Sequence, residues 1–160
     1  MKKYLVILVL ALCAAVQSNA QTTWNVRAGG GLFVWYDDDA KRPFRDVSFS
    51  PMVALETNIP FTRGSKWCIS PSIIYATDIA EMDLSLPIHI GYKIPLRNLG
   101  ILIPKVGPVV GIVSGYENLL FGPSVELAYE YKHFITTLNA ACGTVDAKGP
   151  HVYLSIGYKF

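Results

Sequence analysis

Beyond its first twenty residues the chain has no helix-length apolar run, little cysteine and no surplus of charge of either sign. Each absence excludes something. A transmembrane helix needs about 20 consecutive apolar residues, and none follows residue 20, although hydrophobic types make up 51% of the 160 residues. None of the 3 cysteines stands in a CxxC or a Cys/His cluster, so the common zinc and redox signatures are missing. Without Lys2 and Lys3, the 14 basic residues become 12, against 12 acidic ones. A neutral chain gives no electrostatic reason to expect nucleic acid as a partner.

The first twenty residues read as a secretory leader. Lys2 and Lys3 form a positive n-region, Tyr4 to Val16 an apolar stretch, and Ser18-Asn19-Ala20 a small-x-small cleavage site before Gln21. The apolar stretch is too short for an anchor helix. Bulky Leu12 before Cys13, with apolar residues continuing past it, disfavours a lipoprotein. The expected organisation is therefore a signal peptide over 1–20 and one domain over 21–160.

Strict alternation fills that domain. In the last ten residues Val152, Leu154, Ile156, Tyr158 and Phe160 are apolar, while His151, Tyr153, Ser155, Gly157 and Lys159 are polar, small or amphipathic. A period of two marks an extended strand with two unlike faces. Seven earlier segments repeat it. The first sets Trp24, Val26, Ala28, Gly30, Leu32, Val34 and Tyr36 against Asn25, Arg27, Gly29, Gly31, Phe33 and Trp35. The second sets Val47 to Phe61 (odd positions) against Ser48 to Asn58, the third Trp67 to Tyr75 against Cys68 to Ala76. The fourth sets Met82 to Ile94 against Asp83 to Lys93, the sixth Leu119 to Tyr131 against Gly122 to Glu130. The fifth (Leu102 to Val113) is apolar on both faces, with Lys105, Gly107 and Gly111 sharing one; the seventh (Phe134 to Cys142) is the weakest.

Connections alternate as well. Thr62–Ser65, Pro95–Gly100 and Lys132-His133 are short turns; Asp37–Asp46, Thr77–Glu81, Ser114–Asn118 and Gly143–Pro150 lie between them. An eight-stranded antiparallel up-and-down barrel with a periplasmic N-terminus places the short set in the periplasm and the other set outside. Trp24, Phe61, Trp67, Tyr92, Tyr129, Tyr131, Phe134, Tyr158 and Phe160 then form an interfacial girdle at the periplasmic end, with Tyr36, Phe49, Tyr75 and Phe121 towards the other.

The alternation fits a soluble, lipocalin-type barrel or a transmembrane one with its faces exchanged. The apolar face runs for about 10 residues in most strands, enough to cross a bilayer at a tilt. The other face is rich in Gly, Ala and Ser, too small and wet for a soluble core, so the transmembrane barrel is the expectation. Pro51, Pro71, Pro87, Pro104, Pro108 and Pro123 fall inside these strands and each removes a ladder donor; a bulge or bend is expected in the fifth strand. Cys68 and Cys142 fall on opposite faces of distant strands and are expected to be free thiols.

Eight strands enclose a lumen just wide enough for side chains, so an open pore is not expected. The inward face carries Arg27, Glu56, Asp83, His89, Lys93, Lys105, Glu126, Glu130 and Lys159. Isolated interior charges are expensive, and a network pairing Arg27 and Lys105 with Glu56 and Glu126 is predicted. Ser85/His89 and His151/Ser155 share faces four residues apart, roughly 13 Å along a strand and beyond hydrogen-bond reach; no catalytic residue follows. Asp37-Asp38-Asp39 offers carboxylates of the kind Ca²⁺ takes, but no calcium-loop spacing follows. Neighbouring Lys41, Arg42 and Arg45 suggest a solvated loop touching lipopolysaccharide phosphates instead. No cofactor or metal is expected.

In its C-terminal strand, girdles and eight alternating segments the chain resembles the small OmpX/OmpA-type outer-membrane barrels. It is most similar to the PorT-like "outer membrane protein beta-barrel domain" family, whose strands carry patterns such as Phe121-Gly-Pro-Ser-Val-Glu-Leu-Ala-Tyr129. The resemblance covers 21–160, with the C-terminal segment its most specific part. It implies location in the bacterial outer membrane, insertion by the assembly machinery through Tyr158 and Phe160, and no peptidoglycan-binding domain after the barrel. The function expected is non-enzymatic, structural or surface-interacting. An accessory part in a secretion or transport system with an unknown protein partner is the alternative, and a lipid-modifying enzyme the third reading.

Overall fold

A computed structural model describes residues 22–34, 47–77, 82–114, 118–143 and 149–160. The expected leader, Trp35, Tyr36, Asp37–Asp39, Lys41, Arg42 and Arg45 lie outside the described residues. The strands are β1 (Thr23–Val34), β2 (Val47–Pro60), β3 (Trp67–Thr77), β4 (Met82–Tyr92), β5 (Ile94–Pro95), β6 (Ile101–Ser114), β7 (Asn118–Tyr131), β8 (Phe134–Gly143) and β9 (Gly149–Lys159). All neighbouring pairs are antiparallel, in the order β4-β3-β2-β1-β9-β8-β7-β6-β5, and β4 also pairs with β6. That last pairing closes the sheet.

Nine strands make eight staves. The alternation of the fourth segment predicts one strand through Ile94, but it breaks at Lys93, whose N–H turns to the Lys66 carbonyl of the neighbouring turn at 2.8 Å. Ile94 and Pro95 resume beside Leu102 and Ile101, so β4 and β5 together form one stave. The first and last described strands are zipped together, with Phe160 N donating to Trp24 O at 2.8 Å.

Three tight turns occupy one end. In the β2–β3 turn, Ser65 N donates to Thr62 O at 2.9 Å, and Gly64 takes a φ of 79° that other residues rarely adopt. A short 3₁₀ turn (Arg97–Leu99) joins β5 to β6, with the Tyr129 hydroxyl donating to the Leu99 carbonyl. Lys132 and His133 alone join β7 to β8.

Burial follows the alternation. Val26, Leu32, Val53, Leu55, Ile73, Leu84, Leu86, Ile88, Val125, Leu127, Leu154 and Ile156 are all exposed, in one band around the outside. Their inward neighbours, among them Asn25, Arg27, Glu56, Ser70, Asp83, Ser85, His89, Ser124, Glu126, Asn139 and Ser155, are buried. Contiguous apolar exterior on this scale is untenable in water, and a lumen this polar reverses the arrangement of a soluble core. Hydrocarbon is the solvent that fits. The closed ladder also leaves no strand edge unpaired in lipid. No helix among the described residues is long and apolar enough to cross a membrane; the strands do the crossing.

The fifth stave resolves inward for Ile103, Lys105 and Val109 and outward for Pro104, Val106, Pro108 and Val110. In the seventh, Phe134, Leu138 and Cys142 point out while Ile135, Thr137 and Asn139 point in. Cys68 is buried in the lumen and Cys142 is exposed outside, both as free thiols.

The bulge expected in the fifth strand is absent. The β6–β7 register runs unbroken from Ile101↔Glu130 to Val113↔Asn118, with Pro108 directly opposite Pro123. Two prolines can face each other only at a non-hydrogen-bonded rung, because neither has an N–H to exchange. Their missing donors therefore point to the outer neighbours. There the β4–β6 ladder skips from Pro87↔Val109 to Ile90↔Val106, and the β7–β8 ladder starts only at Ser124↔Ala141. The β3–β4 ladder likewise skips from Pro71↔Ile88 to Ile74↔Ser85. The chain accommodates its prolines by omitting rungs while keeping register.

Candidate functional site

Because period two sends every second side chain inward, residues far apart in sequence meet in the lumen once the register is set. Arg27 on β1, Glu56 on β2, Lys105 on β6 and Glu126 on β7 form a closed square of alternating charge. Arg27 Nη2 lies 3.1 Å from Glu56 Oε2 and Arg27 Nη1 2.8 Å from Glu126 Oε2. Lys105 Nζ lies 2.7 Å from Glu56 Oε1 and 2.8 Å from Glu126 Oε1. Each carboxylate gives one oxygen to each cation, and the four side chains are at most 1% exposed. Two positive and two negative groups cancel, so the square holds four charges with no net charge. That balance lets a low-dielectric interior accept them.

Neighbours complete the square. Asn25 Nδ2 and Asn58 Nδ2 donate to Glu56 Oε1 at 3.0 and 2.9 Å, and Ser70 Oγ donates to Asn58 Oδ1 at 2.5 Å. Two glycines make room for the long cationic stems. A Cβ on Gly157 would lie 2.6 Å from Arg27 Cγ and 2.2 Å from the Val26 carbonyl oxygen. One on Gly91, opposite Lys105 in the ladder, would lie 2.9 Å from Lys105 Cγ. Sequence reasoning places these glycines on the inner face without assigning them this work.

A second cluster lies towards the opposite end of the lumen. Tyr153 Oη donates to Asp83 Oδ2 at 2.6 Å and Ser85 Oγ to Asp83 Oδ1 at 2.7 Å, with His151 Nδ1 3.7 Å from Asp83 Oδ2. This grouping is not evident from the sequence, where Ser85 and His151 stand on different strands with other same-face neighbours. Between the clusters, His89 Nε2 meets Ser124 Oγ at 3.0 Å. At the tight-turn mouth Lys159 Nζ donates to Glu130 Oε2 at 2.7 Å.

The arrangement bears on catalysis. Ser85 bonds to Asp83, and Ser155 meets Thr137 at 2.6 Å, so neither same-strand Ser/His pair forms a nucleophile–base couple. In the His89–Ser124 contact, His89 Nδ1 has no hydrogen-bond partner among the described residues, so no described group orients the imidazole as a base. Among the described residues, no three His, Cys, Asp or Glu side chains are arranged to hold a metal ion.

The aromatic positions gather at the tight-turn end. Trp24, Phe61, Trp67, Tyr129, Tyr131, Phe134, Tyr158 and Phe160 are exposed there, and Tyr92 is half-buried. Trp67 packs edge-on against Tyr92 with centroids 4.9 Å apart, and Tyr158 against Phe160 at 5.0 Å. Phe49, Tyr75 and Phe121 are exposed towards the other end.

No protein-family model matches the chain, and no curated protein does. Among solved structures it is similar to Ail, the attachment invasion locus protein of Yersinia pestis, at 13% identity and a TM-score of 0.53, covering 88% of this chain and 99% of that one. It is similar again to Ail in complex with the heparin analogue sucrose octasulfate, at 12% identity and a TM-score of 0.55, with 88% and 99% covered. The shared property is the fold, an eight-stranded outer-membrane-type β-barrel.

Proposed function

We propose that the chain, exported by its leader and delivered to the outer-membrane assembly machinery through Tyr158 and Phe160, serves as a non-enzymatic bacterial outer-membrane barrel with a structural or surface-interaction role. One observation carries the reading: an apolar outer wall around a lumen that the buried Arg27–Glu56–Lys105–Glu126 square spans. A plugged lumen favours display over conduction, and activity is then left to the surface-exposed segments. The likeness to an attachment protein points the same way. It makes lipopolysaccharide or another anionic polysaccharide the first ligand class to try, as the bound heparin analogue of that relative suggests.

Membrane-extracted protein should show heat-modifiable gel migration and a β-rich far-UV spectrum. In planar bilayers it should give no sustained conductance, and whole cells carrying it should gain adherence to glycan-coated surfaces. Steady ohmic conductance would refute the plugged lumen. A stoichiometric partner on extraction from native membranes, without any gain in adherence, would favour an accessory role in secretion. Turnover of lipid ester bonds by pure protein would restore the enzyme reading.

A further inference from the structure

The charges of this barrel are sorted between lumen and rim. All four acidic side chains among the described residues, Glu56, Asp83, Glu126 and Glu130, are buried in the lumen. The tight-turn end instead carries Arg63 and Lys66 in the β2–β3 turn, Lys93 at the β4–β5 break, Arg97 in the 3₁₀ turn and Lys132 in the β7–β8 turn. Arg63, Lys66, Arg97 and Lys132 are exposed and Lys93 is half-buried. None of the five is in an ion pair among the described residues. The segments joining strands at the other end, outside the described residues, contain by sequence eight acidic and four basic residues. A chain with no net charge beyond its leader thus concentrates unpaired cations at one rim.

We propose that this rim is a cationic collar that binds the head groups of anionic phospholipids in the leaflet it faces. The collar stands at the right depth. Directly beside it are the exposed rings of Phe61, Trp67, Tyr131 and Phe134, and Leu99, two residues from Arg97, is 68% exposed. An aromatic girdle with an apolar tip belongs at the boundary between acyl chains and head groups. Cations at that boundary lie within reach of phosphate, where attraction is strong, and decay over about one Debye length. Lys132 Nζ, 5.4 Å from the Tyr131 ring centroid, joins girdle and collar in one contact. A soluble acidic partner would not need the cations to follow the girdle around three separate turns, whereas a lipid annulus does. The inference rests on the transmembrane reading, and heat-modifiable migration of each variant tests that reading separately.

The test uses the full mature chain in vesicles of phosphatidylcholine with about 20 mol% phosphatidylglycerol, extracted into polymer-bounded discs whose lipids are then counted. The wild type should retain phosphatidylglycerol enriched about three- to tenfold over the bulk ratio, falling towards unity in 0.5–1 M salt (about a 3–4 Å Debye length). The variant R63Q/K66Q/R97Q/K132Q should return to the bulk ratio while keeping heat-modifiable migration; R63K/R97K should keep the enrichment, because charge is what matters. Bulk-ratio lipid around the wild type, or enrichment unchanged in the four-site variant, overturns the proposal. So does collar-dependent binding of cell-wall fragments or an acidic protein in pure phosphatidylcholine discs without lipid enrichment, which would assign the collar to the periplasm instead.

Discussion

Removing Lys105 is the sharpest test of the lumen. In Lys105→Met the stem is kept but the ammonium that spans Glu56 and Glu126 at 2.7 and 2.8 Å is lost. Two buried carboxylates then share Arg27 alone, and the square acquires a net negative charge. Breaking a buried pair from one side costs about 3–5 kcal/mol, most of it the penalty of the uncompensated partner. Lys105→Met/Glu126→Gln restores neutrality, leaves the Arg27–Glu56 pair at 3.1 Å, and should recover about 2 kcal/mol of that loss as coupling energy. Urea unfolding in lipid vesicles, followed by the fluorescence of interfacial Trp24 and Trp67 and checked by heat-modifiable migration, reads the difference. With an m value of about 2 kcal/mol/M, the single variant should lose on the order of 2 M in midpoint. If the double variant is as unstable as the single one, or if the single one costs under about 1 kcal/mol, the square is not a charge-balanced unit.

Three further outcomes follow from the geometry. Leu154→Arg, mid-strand on the outer face and 58% exposed in the structure, should cost about 2–4 kcal/mol in vesicles; a neutral result would mean that the wall is not in hydrocarbon. Gly157→Ala, whose Cβ would lie 2.2 Å from a backbone oxygen, should destabilise by about 1–3 kcal/mol in the same unfolding assay. Gly91→Ala, meeting first the flexible stem of Lys105, should cost less, and equal losses would argue against the stem-cradling role. In native vesicles an apolar maleimide should label Cys142 and spare Cys68 until urea unfolds the barrel, as mass spectrometry would register; early labelling of Cys68 would mean an open lumen.

Much of this was readable in the amino acids, and the reason is physical. Strand parity needs no partner to be seen, so the eight staves, their outward faces and the girdle follow from alternation alone. Parity also puts Arg27, Glu56, Lys105 and Glu126 on one inner surface, and the requirement that buried charge balance suggests they meet. Parity says nothing about height, however. The Asp83–Tyr153–Ser85 cluster depends on which rung of β4 lies level with which rung of β9, two strands that are not ladder neighbours. The fifth stave is ambiguous because the lumen there accepts Ile103 and Val109 beside Lys105, so polarity marks neither face. Thr57 lies on the outer parity, opposite Trp24 in the ladder, and is nonetheless buried, which alternation alone does not register. The prolines suggest a bulge because sequence shows a missing donor without showing where that donor would have pointed.

The omitted rungs have a mechanical consequence. Apart from the late start of β7–β8, they fall on three successive ladders, β2–β3, β3–β4 and β4–β6, each interrupted between paired ends. With continuous ladders beside the β1–β9 seam and interrupted ones opposite, the wall is expected to yield first along a diagonal on the far side. A squeeze from thickening lipid would flatten the cylinder into an ellipse along that diagonal, where amide deuteration should advance fastest among mid-strand positions. The charged square straddles the two regimes, anchored through Arg27 on the rigid side and through Lys105 on the yielding one.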